Sequence, residues 1–152
     1  MTTRRHITSG SPWEEMAGYS RAVVQSVPSG NASDSACDSG CDWIFVAGTV
    51  GTEDMPSGRL ADGVVAQAQR ALDIIERALA EAGATLADTV RVVAYVPERD
   101  DVAAVAAVLK MRLGAARPAN TTVCCPLAVP GAHVEIEITA LRAWPARQGA
   151  AP

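Results

Sequence analysis

Two acids on alternate positions of a strand-like run are the first sign of chemistry in this sequence. In Val134-Glu135-Ile136-Glu137-Ile138, period-two geometry puts Glu135 and Glu137 on one face and the valine and isoleucines on the other. Alternating charges usually mark a solvated face. Set in a cleft instead, a glutamate loses hydration, its ionised form is disfavoured, and it can move protons near neutral pH. The run before it, Asn120-Thr121-Thr122-Val123-Cys124-Cys125, alternates in the same way. Asn120, Thr122 and Cys124 then share a face, giving an amide, a hydroxyl and a thiol that can orient a water or a carbonyl. Ordinary edge strands carry such residues too.

The remaining reactive side chains are sparse. Cys37 and Cys41 have no second ligand pair at zinc spacing. With Asp34, Asp38 and Asp42 they read as a polar loop carrying two thiols rather than a metal site. Cys124 and Cys125 are adjacent on an extended run and point to opposite faces, so at least one is expected in the core. The two histidines, His6 and His133, are expected at the surface. No P-loop, dinucleotide fingerprint, HExxH or GxSxG motif is present. No metal and no cofactor are expected.

Composition limits the classes of function. The chain has 152 residues, 49% of them hydrophobic, and a net charge of −4. That suits one domain with a single core. The apolar share is mostly Ala and Val, with aromatics at only 4%. A core of such small side chains is thin, which favours burial between subunits. With no cluster of Lys or Arg, a nucleic-acid surface is not expected. No apolar run approaches the roughly 20 residues needed to span a bilayer. Met1-Thr2-Thr3-Arg4-Arg5-His6 has no apolar stretch behind it, so no signal peptide is expected and the reading is cytoplasmic.

The elements that must position these residues follow from periodicity. Val-rich Arg21 to Val27 and apolar Trp43 to Val50 read as two antiparallel strands. The Pro, Gly, Ser and Asp stretch between them, about 28–42, reads as an exposed loop. Asp62 offers an N-cap to a helix whose stripe is Val64, Val65, Ala68, Ala71, Leu72, Ile75, Ala78, Leu79 and Ala82. Gln67, Arg70, Asp73, Arg77 and Glu81 fall on its other faces, and Gly83 ends it. Thr89 to Val96 is a strand. Asp100 or Asp101 caps a second helix with a stripe of Val102, Val105, Ala106, Val108 and Leu109, ending near Gly114. Strands from Asn120 to Cys125 and from Val134 to Ala143 follow, and 146–152 reads as a frayed tail. The order predicts an α+β fold, one sheet with two helices on one face. The other face has no layer left in this chain to cover it.

With the elements in place, a family resemblance emerges. Arg117-Pro118-Ala119-Asn120-Thr121-Thr122-Val123 followed by Val134-Glu135-Ile136-Glu137 resembles the C-terminal signature of the RidA/YjgF family. Gly18-Tyr19 before a valine-rich strand, Phe45-Val46-Ala47-Gly48-Thr49, the Gln67 to Gly83 helix and Ala84 to Val96 fall in the family's order. The resemblance covers nearly the whole chain apart from about 28–42, which looks like an insertion in a usually short hairpin. The opening SGSPWEEMAGYSRAV is similar to a subgroup distinct from the housekeeping deaminases. The resemblance implies a chorismate-mutase-like subunit in a homotrimer with a central barrel and three clefts between neighbours. It also implies cofactor-independent hydrolysis of imines and enamines to keto acids and ammonia. The family's arginine, which grips the substrate carboxylate, corresponds to Asn120, and its glutamate to Glu135. The tyrosine near the entrance corresponds to Tyr19, the glycine to Gly48, and a cysteine common beside the arginine to Thr122.

The residue at 120 departs most from that pattern. Guanidinium is a charged fork matched to carboxylate, and an amide lacks both the charge and the fork. Losing such a contact costs about 2–3 kcal/mol, roughly 30–150-fold in affinity. Arg117 lies three residues earlier, an odd offset that points it elsewhere. The expectation is a small-molecule enzyme of hydrolase or tautomerase type whose substrate lacks the usual carboxylate. In it Glu135 relays the proton, Asn120 and Thr122 orient substrate or water, and Gly48 and Thr49 contribute backbone donors. Tyr19 and Cys124 complete the substrate-binding set. The alternatives are a non-catalytic trimer that binds a metabolite or partner, and a member recruited to a specialised biosynthetic reaction with Cys124 as nucleophile.

Overall fold

The apolar run Trp43 to Val50 and the strand from Val134 to Ala143 lie side by side at the middle of one sheet. The computed structural model of the protein describes residues 2–28, 39–53 and 58–145. Six strands, β1 (Thr3–Ile7), β2 (Ala22–Pro28), β3 (Gly40–Val50), β4 (Thr89–Tyr95), β5 (Ala119–Val123) and β6 (Glu135–Ala143), pair in the order β1-β2-β3-β6-β4-β5. All neighbours are antiparallel except β4 and β5. Three α-helices accompany them: α1 (Pro12–Ala17), α2 (Gly63–Glu81) and α3 (Val102–Leu113). A single α+β sheet with the two long helices on one face, as the sequence predicts, is the architecture.

Alternation decides which face is which. Ile44 and Val46 of β3, Val92 and Ala94 of β4, and Ile136 and Ile138 of β6 join one core with Ala68, Leu72, Ile75 and Leu79 of α2 and Val105 and Leu109 of α3. Leu72 and Ile75 are fully buried, and truncating either to alanine costs about 2–5 kcal/mol. The intervening residues of β3, Trp43 and Phe45, are 37% and 49% exposed on the opposite face. Their rings stack with centroids 6.5 Å apart.

Several expectations are corrected here. β1 and α1 have no counterpart in the sequence reading. β1 is an edge strand with only Ile7 buried, so it shows no apolar alternation. α1 is too short to display a stripe. β3 begins at Gly40, so Cys41 and Asp42 belong to a strand and are buried there. Cys37, Asp34, Asp38 and the tail at 146–152 lie outside the described residues. Val65 is 45% exposed and Ala106 is exposed too, so neither joins its helix's stripe. Asp62 and Asp101 occupy N-cap positions without making side-chain cap hydrogen bonds. Neither Cys124 nor Cys125 is core, because β5 is an uncovered edge strand that ends before them.

Gly83, at φ 80°, follows α2 in the left-handed conformation that glycine adopts without a Cβ penalty. Near α3 that role falls to Arg117, φ 47°, whose N–H donates to the Leu113 carbonyl, while Gly114 stays right-handed. Arg117 thus serves the chain reversal into β5.

Gln67 departs furthest from its expected place. It is 3% exposed, accepts from the His133 N–H (2.7 Å) and donates to the Gly131 carbonyl (3.2 Å). His133 also bonds through Nδ1 to Asp101 (2.8 Å). A buried amide bonded at both its oxygen and its nitrogen holds the turn before β6 to α2, and the His133–Asp101 contact ties it to the start of α3.

Candidate functional site

The cleft forms where β3 loses register. Val46 pairs with Ile138 but Thr49 pairs with Ile136, so β3 carries one more residue than β6 between these points. This is a β-bulge, a device that re-aims the backbone. It brings Gly48 against the carboxylate of Glu135. A Cβ built on Gly48 would overlap Glu135 Oε1. With the Glu135 side chain in this conformation, a residue larger than glycine does not fit at 48.

A cavity of about 300 Å³ opens beside this pair, lined by Gly48, Tyr95, Cys125, Leu127, Glu135 and Glu137 among others. Antiparallel register places Glu135 opposite Tyr95 and Glu137 opposite Val93, all on the face away from the helices. Arg91 meets Glu137 at 3.3 Å. Burial raises the pKa of Glu135 above the ordinary carboxylate value, the neighbouring Glu137 charge raises it further, and Arg21 partly opposes both. Tyr95 is also raised, first by desolvation and then by the Glu137 charge. A carboxyl whose ionised form is disfavoured in a cleft is of the kind that can exchange a proton with a bound molecule.

Arg21, which the sequence does not single out, stands behind the bulge. It is 8% exposed and donates to the Gly48 carbonyl (3.1 Å) and to Thr49 Oγ1 (2.7 Å). Its Nε lies 3.6 Å from Glu14 Oε1, and its guanidinium carbon is 5.9 Å from the centre of the Tyr19 ring. Glu14 in turn accepts from the Ser9 N–H (3.1 Å), from Ser9 Oγ (2.6 Å) and from Thr8 Oγ1.

Of the residues expected at a site, the chain brings Gly48 and Glu135 directly together. Thr49 is buried beneath them, its hydroxyl donating to the Ala47 carbonyl (2.8 Å). Tyr19 is exposed beside Arg21 and does not line the cavity. Asn120 and Thr122 are paired in register with Val92 and Ala94, so they belong to the helix-bearing side of the sheet, opposite to Glu135. Thr122 donates to Asn120 (3.3 Å), and both are exposed. Cys124 is exposed, and the cysteine that lines the cavity is Cys125. Thr121 and Val123 pair with Val93 and Tyr95 on the face of Glu135, and Cys125 follows just beyond the end of β5. Tyr95 had no signal of its own, since only pairing between β4 and β6 reveals its neighbour. Among the described residues no three His, Cys, Asp or Glu side chains gather as a metal site. No helix there is long and apolar enough to cross a membrane.

Comparison with known proteins places this geometry. A comparison with curated proteins gives no match. A solved structure from Mycobacterium tuberculosis, described as a member of the highly conserved YjgF/YER057c/UK114 family, is 36% identical, with a TM-score of 0.72 over 91% of this chain and 98% of that one. A YjgF-family protein from Neisseria meningitidis is 28% identical, with a TM-score of 0.68 over 94% and 98%. RidA from an Antarctic Psychrobacter is 25% identical, with a TM-score of 0.62 over 80% and 86%. The family model described as endoribonuclease L-PSP matches residues 16–142. That span contains the bulge at Gly48, the Glu135 strand and all of α2 and α3, and the chain belongs to the YjgF/RidA family.

Proposed function

We propose that the protein is a cofactor-independent enzyme acting on a small imine, enamine or tautomerisable substrate that lacks the usual carboxylate, in clefts completed by neighbouring copies of a homotrimer. The observation that carries this reading is the carboxylate of Glu135 seated on Gly48 in a cavity, with its pKa raised by burial. In imine hydrolysis the group takes a proton as water adds to the C=N carbon and returns it to nitrogen as the C–N bond breaks. The products are a carbonyl compound and ammonia, and the glutamate is regenerated.

The cavity's charge supports the choice of substrate. Among the described residues its lining includes two glutamates and no Lys or Arg, and Asn120 stands where the resemblance places the arginine. A carboxylate or a phosphodiester entering it meets like charge rather than a partner. The endoribonuclease in the family model's description is therefore not the reading adopted for this chain. The stacked, exposed Trp43 and Phe45 on the helix-free face support burial against further copies, since large exposed apolar patches mark interfaces. A neighbour can also supply what one chain keeps apart, because Asn120 and Thr122 lie across the sheet from Glu135.

The test follows ammonia released from freshly generated 2-iminobutyrate and iminopyruvate, in the unmodified protein and in Asn120→Arg. The expected result is little turnover in the first and a gain in the second. Rapid turnover by the unmodified protein removes the claim about the carboxylate. Glu135→Gln that leaves turnover of an accepted substrate unchanged removes the role given to that residue. Sedimentation that finds a monomer at micromolar concentration removes the trimer.

A second reading rests on Cys125, whose place in the cavity wall makes it, rather than Cys124, the thiol available for covalent chemistry. Alkylation that blocks activity in the unmodified protein but not in Cys125→Ser favours it.

A further inference from the structure

We propose that Arg21 is the positioning residue of this site: its buried guanidinium, anchored by Glu14, pins the Gly48–Thr49 bulge against which the Glu135 carboxylate is seated. The proposal rests on the reading of the Gly48–Glu135 cavity as the working site and adds the residue that sets its geometry.

A guanidinium has five donors in a fixed plane and no acceptor, so it can hold several oxygens at set angles. Here one nitrogen, Nη1, serves both bulge oxygens, the Gly48 carbonyl at 3.1 Å and Thr49 Oγ1 at 2.7 Å. The Arg21 carbonyl also accepts from the Ala47 N–H at 3.0 Å. Backbone and side chain of one residue thus hold three consecutive positions, 47 to 49, across the irregularity. A bulge breaks its strand's own ladder, so its conformation needs such outside support.

Burying a guanidinium is costly without a counter-charge. Glu14 supplies it, and Glu14 is itself held by Ser9 and Thr8. Arg21 Nε has no hydrogen-bond partner of its own, so part of the ion's demand for partners stays unmet in one chain. Fold stability alone does not require that arrangement, because an apolar residue at 21 would avoid it. The unmet demand fits a residue kept for what it holds.

Arg21 is also the charge acting on Glu135 that favours the ionised form. The charged and titratable groups around Glu135 are Glu137 on its own strand, Tyr95 and Arg91 on β4, Cys125 after β5, and Arg21 with its partner Glu14. Removing Arg21 therefore moves Glu135 up. Removing the Glu14 charge, which screens Arg21, moves it down.

The experiment labels glutamate side-chain carboxyl carbons with 13C and follows the Glu135 titration by NMR in the full chain, assigning it by its loss in Glu135→Gln. Arg21→Gln is expected to raise the midpoint, Arg21→Lys to restore it in part, and Glu14→Gln to lower it. Amide exchange at Gly48 and Thr49 is expected to quicken in Arg21→Gln. A Glu135 midpoint and bulge exchange unchanged in Arg21→Gln overturn the proposal. If that variant does not fold, Glu14→Gln decides alone, and an unmoved or rising midpoint overturns it. Coupling seen in a protein that turns over none of the imines leaves Arg21 as the positioning residue and removes only the assigned reaction.

Discussion

Glu14 and Glu135 flank the same arginine and behave in opposite ways. Burial pushes the Glu14 pKa up, but Ser9, Thr8, the Ser9 N–H and Arg21 outweigh it, and the group ends below its ordinary value. At Glu135 burial also pushes upward, the like charge of Glu137 adds to it, and only Arg21 opposes. The difference lies in the donors. A carboxylate that meets a nest of N–H and O–H groups has its ionised form favoured, and one that meets a cavity and another acid has it disfavoured. Proximity to a cation does not by itself decide which.

Four measurements can break or sharpen that contrast. The largest effect belongs to Glu14→Ala, which strands a buried guanidinium and should cost about 3 kcal/mol in urea unfolding. Glu135→Ala should cost under about 1 kcal/mol, and equal losses at the two sites would dissolve the distinction. Gly48→Ala comes next. Its methyl overlaps Glu135 Oε1, the far end of a flexible side chain that can swing aside, so stability should change by under about 1 kcal/mol while ligand binding or turnover collapses. A variant with normal turnover would show that the seat of Glu135 on Gly48 is incidental.

The third is a pH series, where the signs are opposed. Glu14 has a lowered folded pKa, so its stabilisation is present above its unfolded pKa and is lost as pH falls through the folded one. Glu135 has a raised folded pKa. It costs nothing below the unfolded pKa, its cost grows as pH rises from there to the folded value, and it is constant above that. Glu135→Gln should therefore gain stability over the unmodified protein at neutral pH and show no gain below about pH 4. A gain that is the same at both pH values would mean that packing, not ionisation, separates them. The smallest effect is the control. Asp73→Asn removes one of the two carboxylates that Arg112 bridges between α3 and α2, at 2.8 and 2.9 Å. Because Asp73 is 45% exposed, the loss should stay under about 1 kcal/mol.

Legibility in the sequence follows the same divide between apolar pattern and polar partnership. β3, β4, β6 and α2 are readable because their buried residues recur at periods of two or of three to four, and the pairing of Glu135 with Glu137 on one face follows from the same rule. β1 is not readable, since Thr3, Arg4, Arg5 and His6 are all exposed on an edge strand. Gln67 and Arg21 look like surface residues in sequence because their burial depends on partners 66 and 28 positions away. Alternation puts Asn120, Thr122 and Cys124 on one face, and the register of β5 on β4 shows that Asn120 and Thr122 lie across the sheet from Glu135 within one chain. Cys125 lies beyond the end of β5, where period two no longer tells which way a side chain points.

The β2–β3 hairpin has a further consequence, for engineering. The chain leaves β2 at Pro28 and rejoins β3 at Gly40, which are partners in register, while the bulge at Gly48 lies eight residues further along the same strand. At about 3.3 Å per residue that is roughly 26 Å of strand between the attachment point and the chemistry. Pro28 and Gly40 are held opposite each other by the strand pairing itself. The strand end at Gly40 is therefore a place to perturb β3 at a distance from the Glu135 carboxylate.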